Sequence, residues 1–460
     1  MAPIKASSTM NPADSPLLTD LYQLNMIQAY LDHGRADTAV FEFFMRKLPA
    51  QRRFLVAAGL EQALDYLETL RFSAEDIDWL ARSGRFGPAL IERLAAFRFT
   101  GDVDAIPEGT CFFADEPILR VTAPLPEAQL VETRLINILH FQSLIASKAA
   151  RMVLAAPGKV LADFGLRRAH GAEAGLMAAR ASYVAGFDGT ATVMAAKLWD
   201  IPLFGTMAHS FIQTYDDESR AFEDFARSRP DRLVLLLDTY DTEAAARKVV
   251  ALAPGLAAAG ISIQGVRLDS GDLAVLAGRV RRILDDGGLQ GVTIFASGGL
   301  DEHDLLAFTR LGAPIDGYGL GTSLVTSSDA PALDCAYKLV EYAGLARRKR
   351  SSGKATWPGR KQVWRRYGAD GRMAGDVLTI EGDGQEGEAL LRPVMRGGRR
   401  IAPSPALAEL RAHAARELGR LPEALRQLAP GPVYPVRVAE RLVELADAVD
   451  RRRAEQETGR

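Results

Sequence analysis

Between residues 160 and 320 the chain repeats one pattern of a short apolar run, a turn with glycine or aspartate, and a helical segment. Regular alternation of strands and helices predicts a parallel sheet, and six or seven units over about 190 residues favour a barrel over an open sheet. The runs end near Asp163, Phe204, Leu237, Asp269, Phe295 and Gly319, and the helices are expected at 173–186, 241–259, 272–286 and 301–311. In such a fold the chemistry lies at the carboxyl ends of the strands.

The segments on either side of this repeat predict further domains. We expect a flexible tail at 1–14, an N-terminal α/β domain at 15–126 of α+β sandwich-like type, completed by C-terminal strands, the barrel at 127–345, and a C-terminal region at 346–460. Helices are expected at 17–30, 56–70, 75–97, 127–152, 405–428 and 435–455, and strands at 38–46, 100–121 and 375–392. The basic stretch 346–366 is most simply a solvated surface, with a phosphate-facing role as the alternative.

The composition narrows the class of protein. A chain of 460 residues with 48% hydrophobic and 25% charged residues is typical of a globular protein of two or three domains. The net charge of −2 gives no argument for a nucleic-acid or membrane partner. Two cysteines, Cys111 and Cys335, fit a reducing compartment, and the first fourteen residues contain no secretory signal, so we expect a cytoplasmic protein.

Four strand ends carry polar residues that suit a reaction site. His209 follows Gly205-Thr206-Met-Ala and could equally be an ordinary loop histidine. Arg167 and Arg168 follow the first strand, where arginine's planar fork suits a carboxylate or phosphate, although surface arginines are common.

The other two strand ends add carboxylates and glycines. The turn Arg267-Leu-Asp269-Ser270-Gly-Asp272 joins a cation to carboxylates that suit ribose hydroxyls or the water ligands of Mg²⁺, and Ser270 or Asp272 could simply cap a helix. The late stretches that contain Gly298, Gly299, Gly321 and Thr322 allow backbone N–H groups to approach a phosphate. The residues alone therefore predict a barrel enzyme that acts on a phosphorylated sugar and a small anion.

Several ordered motifs give the chain a resemblance to the nicotinate phosphoribosyltransferase family from Leu17 to about Val443. They are Leu17-Leu-Thr-Asp-Leu-Tyr-Gln, Glu127-Ala-Gln-Leu-Val-Glu-Thr, Asp163-Phe-Gly-Leu-Arg-Arg-Ala, Gly205-Thr-Met-Ala-His-Ser, Arg267-Leu-Asp-Ser-Gly-Asp, Gly319-Leu-Gly-Thr, Tyr337-Lys-Leu-Val and Pro358-Gly-Arg-Lys. The resemblance implies an irregular α/β barrel with an N-terminal α/β domain and a C-terminal extension. It also implies the reaction of nicotinate with phosphoribosyl pyrophosphate to nicotinate mononucleotide and pyrophosphate, coupled to ATP hydrolysis and assisted by Mg²⁺.

The resemblance also implies roles for individual residues. It makes His209 the residue that ATP phosphorylates, with Asp269 and Arg267 beside the ribose and diphosphate and Ser270 among the substrate contacts. Nicotinate would contact Phe164, Arg167, Thr206 and, from a second subunit of a homodimer with shared sites, Tyr22. The 5′-phosphate would lie against Gly298, Gly299, Gly321 and Thr322. No metal-ligating residue is assigned. The serine–glycine–glycine stretch at 297–299 departs from the family, where an asparagine or aspartate is more often expected at its second position.

Three alternatives are weighed against this interpretation. The related nicotinamide enzyme carries an aspartate in a stretch that here reads Gly189-Thr-Ala191-Thr, and an aspartate there would repel nicotinate whereas alanine does not. The decarboxylating quinolinate enzyme needs more cations for its dicarboxylate and lacks the histidine. A non-catalytic, nucleotide-binding relative is expected to have lost His209, Arg167 or Asp269, and all three are present.

Overall fold

The computed structural model describes residues 15–351 and 355–458, so the expected tail at 1–14 lies outside the described residues. The chain divides into two compact units. The first contains residues up to Leu144, Ala332–Arg426 and the residues from Pro430 on, and the second contains Ile145–Pro331 with Gln427–Ala429.

The helices and strands follow one another in three stretches of the chain. Before residue 156 they are α1 Leu21–Asp32, β1 Thr38–Met45, β2 Leu55–Val56, α2 Leu60–Thr69, α3 Ala74–Arg82, α4 Pro88–Ala95, β3 Asp102–Ala105, β4 Cys111–Phe112, β5 Pro117–Pro124, α5 Leu125–Leu130 and α6 Glu132–Ala155. Up to residue 331 they are β6 Val160–Asp163, α7 Ala172–Val184, β7 Gly189–Thr190, α8 Val193–Trp199, α9 His209–Gln213, α10 Glu218–Ser228, β8 Leu233–Leu236, α11 Thr242–Ala258, β9 Ile263–Leu268, α12 Leu273–Asp286, β10 Thr293–Ser297, α13 Glu302–Leu311, β11 Gly317–Leu320 and α14 Thr322–Val325. The last stretch contains β12 Cys335–Tyr342, β13 Leu345–Ala346, β14 Lys361–Tyr367, β15 Met373–Ile380, β16 Glu388–Ala389, β17 Arg392–Arg396, β18 Arg399–Arg400, α15 Leu407–Arg420, α16 Glu423–Arg426, β19 Val436–Val438 and α17 Glu440–Glu457.

The second unit is built on a six-stranded parallel sheet in the order β7-β6-β11-β10-β9-β8. The sheet is curled into a half-barrel, which is the form that the predicted α/β barrel takes. Its strands are short apolar runs with buried side chains on both faces, as expected for a sheet that helices cover. All carboxyl ends of a parallel sheet lie along one edge, so the polar residues that follow them are brought to the same side.

Aspartates begin the helices that follow the last strands of this sheet. The side chain of Asp241 accepts a hydrogen bond from the backbone N–H of Ala244, and Asp272 accepts one from Val275. Asp301 forms a capping box with Asp304. Asp272 therefore caps α12, which is one of the two roles that the sequence allowed for it. A cap of this kind typically contributes about 1 kcal/mol to stability.

The first unit contains a seven-stranded sheet in the order β13-β12-β1-β5-β3-β17-β18. The central strand β1 pairs antiparallel with β5 on one side and with β12 on the other, and seven of its eight residues are buried. Strands from the C-terminal third, β12 and β17, thus complete a sheet begun by N-terminal strands. A four-stranded sheet, β16-β14-β15-β19, and the two-stranded β2-β4 accompany it.

Several predicted helices differ from the observed ones for local reasons. The helix expected at 75–97 is interrupted before Pro88, which begins α4 because proline is favoured in the first turn. Leu55 and Val56 form a strand with Cys111 and Phe112, so the helix expected from residue 56 begins at Leu60. Residues 436–438 pair with β15 instead of starting the last helix. The strand expected to end at Phe204 is reduced to one bridge, between Thr190 and Leu203.

The long helix α6 was expected at 127–152 and is observed from Glu132, after the separate short helix α5. Its second half carries charges that are paired inside the second unit. The Nζ atom of Lys148 contacts Glu302 at 2.5 Å, and Arg151 contacts the same carboxylate at 3.0 Å. Within the described residues, no helix is both long and apolar enough to cross a membrane.

The basic stretch 346–366 is only partly a solvated surface. In β14 every second side chain points inward, and this alternation buries Lys361 and Arg365. Lys361 pairs with Glu42 at 2.7 Å, while Arg365 pairs with Asp376 at 2.6 Å and with Glu417 at 3.1 Å. The sequence prediction of an exposed stretch is wrong for these two residues, because their charges are neutralised inside the first unit.

A third buried carboxyl group, Glu116, completes the cluster around Arg365. One of its oxygens accepts a hydrogen bond from the backbone N–H of Phe113 at 2.8 Å. Burial raises the pKa of Glu116 well above its usual value, and the neighbouring carboxylate of Asp376 raises it further, against the opposing effect of Arg365. Glu116 therefore holds a proton in the folded protein under conditions where it is ionised in the unfolded chain.

Replacing Glu116 by glutamine, which mimics the protonated acid, will stabilise the protein at neutral and alkaline pH. The pKa of Glu116 is higher in the folded than in the unfolded state, so its contribution to stability is full below the unfolded pKa and decreases as the pH rises through the folded one. The gain in the free energy of unfolding should therefore be larger at pH 8 than at pH 5. Urea denaturation between pH 5 and pH 8 measures it.

The matched variant Asp376→Asn has the opposite expected effect. It removes one partner of the buried guanidinium and will destabilise the protein by about 3–5 kcal/mol. A Glu116→Gln protein that is less stable than the parent at pH 8 would contradict the proton assignment.

Candidate active site

The carboxyl ends of β6, β9 and β10 bring the predicted residues of the second unit together. Phe295 lies opposite Arg267 in the sheet, Ser297 lies opposite Gly319, and Leu320 lies opposite Asp163. Side chains that project beyond these positions share one edge of the sheet.

Arg267 is the centre of the hydrogen-bond network at this edge. Its Nε–H donates to the hydroxyl of Ser297 at 3.0 Å, and its Nη1 donates to the hydroxyl of Thr206 at 3.0 Å and to the carbonyl of Met207 at 3.2 Å. Its Nη2 lies 3.2 Å from Asp269. The guanidinium thus ties the loop that leads to His209 to the ends of β9 and β10.

Phe164 lies under this guanidinium. The carbon centre of the Arg267 guanidinium is 5.9 Å from the centroid of the Phe164 ring, within the range of a cation–π contact. The ring is half-buried and packs against Gly319, where a side chain would collide with it. A flat aromatic surface beside a cation suits a flat anionic ring.

Asp269 is held as a carboxylate. Burial acts to raise the pKa of this group, but the hydrogen bond from Ser297 and the charge of Arg267 outweigh burial, so the pKa lies below its usual value. One oxygen of Asp269 receives Ser297 and Arg267, and the other, Oδ2, lies 3.7 Å from Nε2 of His209.

His209 is the first residue of α9 and has both ring nitrogens near oxygen atoms. Its Nδ1 lies 3.1 Å from the hydroxyl of Thr239, and its Nε2 faces Asp269. The side chain remains 37% exposed, which leaves the imidazole open to a reagent from solution. A histidine oriented by a hydroxyl and a carboxylate can act as a base or as a nucleophile.

Asp238 and Thr239 were missed as site residues by the sequence reasoning. Asp238 accepts hydrogen bonds from the backbone N–H of Asp269 at 3.0 Å and from the hydroxyl of Ser270 at 2.5 Å. Its other oxygen is buried without a hydrogen-bond partner among the described residues. The available signal was that an aspartate directly follows the apolar run of β8, as Asp163 ends β6.

Asp163 is a second carboxyl group that the sequence reasoning did not assign. It is fully buried and accepts hydrogen bonds from the hydroxyl of Thr190 at 2.7 Å and from the backbone N–H of Gly165 at 2.8 Å. The backbone N–H of Ala191 donates a hydrogen bond to the backbone carbonyl of Asp163. Burial raises the pKa of Asp163 to about 6, although both hydrogen bonds act against it. Asp163 therefore connects the loop after β6 to the loop after β7.

The predicted glycines differ in their local roles. Gly298 has a φ of +111°, and a side chain there would overlap the carbonyl oxygen of Asp269, so glycine is required for β9 and β10 to approach each other. Gly299 also has a positive φ but faces open space. Gly321 precedes α14, which begins at Thr322.

Two further predicted residues are exposed. Arg167 lies in a short 3-10 turn, Leu166–Arg168, at the end of the loop after β6. Tyr22 lies in α1 of the first unit, and burial, followed by the nearby charge of Glu132, raises its pKa. Within the described residues, no group of three or more histidine, cysteine, aspartate or glutamate side chains could hold a metal ion.

Comparison with known proteins identifies the family. Three sequence models match along the chain: the nicotinate phosphoribosyltransferase N-terminal domain at 17–140, the family itself at 160–342, and its C-terminal domain at 382–446. A nicotinate phosphoribosyltransferase of Mycobacterium tuberculosis is 49% identical over 433 residues, which cover 94% of this chain and 93% of that protein. The chain belongs to the nicotinate phosphoribosyltransferase family.

Other members agree in sequence and fold. The nicotinate phosphoribosyltransferase of Bacillus subtilis is 40% identical over 356 residues, which cover 76% of this chain and 72% of that protein. The crystal structure of human nicotinic acid phosphoribosyltransferase matches with a TM-score of 0.84 at 31% identity, over 94% of this chain and 99% of the human one. This match confirms the predicted fold class. The family models, the related sequences and the human structure together confirm the family resemblance.

Replacing Asp163 by asparagine will remove a pH dependence of stability between pH 4 and pH 6. The pKa of Asp163 is about 6 in the folded protein and about 3.9 in an unfolded chain. The folded state therefore binds more protons in this window, and the contribution of Asp163 to stability is lost as the pH rises through 6. The difference in unfolding free energy between parent and variant should change by about 3 kcal/mol across the window.

Denaturant titrations at pH 4, 5, 6 and 7 measure this difference. Asp241→Asn, which makes the same substitution at an exposed helix cap, is the control. A parallel pH dependence in parent and Asp163→Asn proteins would refute the assignment.

Proposed function

We propose that this member of the nicotinate phosphoribosyltransferase family transfers the phosphoribosyl group of phosphoribosyl pyrophosphate to nicotinate, which gives nicotinate mononucleotide and pyrophosphate. This reaction is the entry of nicotinate into NAD salvage. The observation that carries the proposal is the match to the Mycobacterium tuberculosis enzyme over 94% of the chain. The arrangement of Phe164, Arg267, Asp269 and His209 at one sheet edge supports it.

Nicotinate is favoured over nicotinamide by the residue at position 191. Ala191 is exposed at the end of β7, and its backbone is fixed by the hydrogen bond to the carbonyl of Asp163. An aspartate at this place would accept a hydrogen bond from an amide and repel a carboxylate, whereas alanine does neither.

Nicotinate would bind with its ring against Phe164 and its carboxylate near cationic and hydroxyl groups. Arg167 and Thr206 are the proposed partners of the carboxylate, and Arg267 adds a positive charge above the aromatic ring. Arginine suits a carboxylate because its planar donors match the two oxygens.

The sugar diphosphate would bind along the turn after β9. Asp269 and Ser270 are the proposed contacts of the ribose, and Asp269 stabilises the positive charge that develops on the sugar as pyrophosphate leaves. The backbone N–H groups near Gly298, Gly299, Gly321 and Thr322 are the proposed donors to the 5′-phosphate.

The residues present fit a magnesium ion that is held mainly by its substrate. Mg²⁺ in such enzymes usually binds one or two carboxylates, substrate phosphates and water. Asp238 and Asp269 would supply the carboxylates, and the oxygen of Asp238 that lacks a hydrogen-bond partner among the described residues is consistent with that role. When bound, the ion neutralises the leaving pyrophosphate.

His209 is the proposed acceptor of the phosphoryl group of ATP. Its exposed imidazole can attack the terminal phosphate, and the bond from that phosphorus to ADP breaks as the new bond to nitrogen forms. Thr239 and Asp269 orient the ring from its two sides. Water later releases phosphate and restores the histidine, so ATP hydrolysis is coupled to the transfer.

A homodimer with shared sites is the proposed assembly. Apolar side chains are exposed in both units of the single chain: Leu166, Val193, Met194, Leu198 and Leu203 in the second unit, and Leu18, Leu21 and Tyr22 in the first. Tyr22 of one copy would cover the nicotinate of the other, opposite Phe164. Burial of these side chains between two copies would remove apolar area from water.

The two free thiols, Cys111 and Cys335, support a cytoplasmic location.

The purified protein will form nicotinate mononucleotide from nicotinate and phosphoribosyl pyrophosphate, and ATP will stimulate the reaction. His209→Ala will lose the stimulation and the acid-labile phosphoenzyme, because the nucleophile is absent, and will keep some ATP-independent activity. The exposed His303→Ala is the control and should behave like the parent. Chromatographic detection of product together with labelling by γ-phosphate-labelled ATP measures both. Absence of product in the parent would overturn the proposed function, and unchanged ATP coupling in His209→Ala would overturn the histidine's role.

Replacing Ala191 by aspartate will lower kcat/KM for nicotinate by at least about tenfold, which corresponds to about 1.4 kcal/mol of charge repulsion. The same variant should use nicotinamide better than the parent does, because the new carboxylate can accept from the amide. The variant Ala191→Asn introduces a side chain of the same size as aspartate but without its charge, and so separates the effect of charge from that of size. Equal losses of kcat/KM in the two variants would show that the size of the new side chain, not its charge, impairs the use of nicotinate.

A further inference from the structure

Ser297 is a buried hydroxyl at the carboxyl end of β10 that bridges two residues of the site. Its side chain accepts a hydrogen bond from Nε–H of Arg267 at 3.0 Å and donates one to the Oδ1 atom of Asp269. The residue is only 3% exposed. A serine hydroxyl can fill both roles at once because it has one donor and two acceptor sites.

The backbone forces Ser297 into this position. Ala296 of β10 lies opposite Leu268 of β9, so Ser297, the last residue of β10, and Asp269, the first residue after β9, lie side by side. Gly298 then turns with a left-handed φ and lies so close to the carbonyl of Asp269 that no side chain fits. The close approach places the hydroxyl against the carboxylate.

The bridge divides the two oxygens of Asp269 between different partners. Oδ1 receives the hydroxyl of Ser297 and Nη2 of Arg267, the latter at 3.2 Å. Oδ2 is left to face Nε2 of His209 at 3.7 Å. A carboxylate held by two donors on one oxygen cannot rotate freely, so the direction of the second oxygen is set by the first.

We propose that Ser297 is a positioning residue for phosphoribosyl transfer, whose hydroxyl fixes Asp269 and Arg267 in the orientation that the reaction uses. This inference rests on the proposed function and adds a residue that acts through Asp269 and Arg267 without touching the substrate. It also gives the serine at position 297 a role separate from the phosphate contacts of the two glycines that follow it.

Three charged groups lie around Asp269. Arg267 precedes it by two residues in β9, His209 begins α9, and Asp238 accepts a hydrogen bond from the backbone N–H of Asp269. Loss of the Ser297 hydroxyl is therefore expected to disturb the contacts that Asp269 makes with Arg267 and His209.

The first test compares Ser297→Ala with Ser297→Thr and with the control Ser182→Ala. Ser182 is also a buried serine of the second unit, but its hydroxyl only donates to a carbonyl within α7. We expect kcat of Ser297→Ala to fall about 10- to 100-fold, the range for a hydrogen bond to a charged group, while KM for nicotinate changes little because Ser297 does not touch the substrate. Ser297→Thr should recover much of the activity, and Ser182→Ala should match the parent.

The second test asks whether Ser297 acts through Asp269. In an Asp269→Asn background, Ser297→Ala should reduce activity much less than it does in the parent, because the group that it positions has already been changed. Equal reductions in both backgrounds, or a loss in Ser297→Ala that falls on KM alone, would overturn the inference and leave the proposed function in place.

The third test does not depend on turnover. Urea denaturation at pH 7 gives the free energies of unfolding of the parent, Ser297→Ala, Asp269→Asn and the double variant. Because a hydrogen bond joins Ser297 to Asp269, the effects of these two substitutions should not add, whereas those of Ser182→Ala and Asp269→Asn should add. Additive effects of Ser297→Ala and Asp269→Asn would overturn the inference, and this measurement still decides it if the parent makes no nicotinate mononucleotide and the proposed function fails.

Discussion

The contacts of one guanidinium connect the parts of the site in the second unit. Arg267 donates to Ser297, Thr206 and the carbonyl of Met207 and lies beside Asp269, so three separate loops meet at a single planar group. A largely buried arginine is tolerable only if its charge and donors are satisfied, and Asp269 supplies the opposite charge. The orientation of Asp269, and through it the environment of His209, depends on this arrangement.

The same rule, that buried charges need partners, organises the first unit. Arg365 is paired with Asp376 and Glu417, and beside them burial raises the pKa of Glu116 well above its usual value. Here the paired charges join the strand β14 to β15 and α15, and none of these residues is part of the site. Arginine therefore serves two purposes in this chain, and only the surroundings of each residue distinguish them.

The sequence predicted the parts of the fold that depend on periodicity and on helix caps. Short apolar runs followed by aspartate or glycine identified the strands of the parallel sheet, and Asp272 and Asp301 occur where helices begin. Pairing between distant segments was harder to predict, because no local pattern shows that Val436 will pair with β15 or that Arg365 will be buried. The candidate residues Arg267, Asp269, Thr206 and His209 could be predicted to share one edge. Their division of hydrogen bonds, and the parts played by Asp238, Asp163 and Ser297, depend on side-chain directions that only the folded structure defines.

All three nitrogen atoms of the Arg267 guanidinium already contact protein groups, so an incoming anion must compete with them. A carboxylate or phosphate that takes the Nη1 donors must displace the hydroxyl of Thr206 and the carbonyl of Met207. Both belong to the loop that ends at His209, so an anion bound to Nη1 would release two anchors of that loop. Binding of an anion at Arg267 and movement of the loop would then be linked, because both depend on the same two N–H groups.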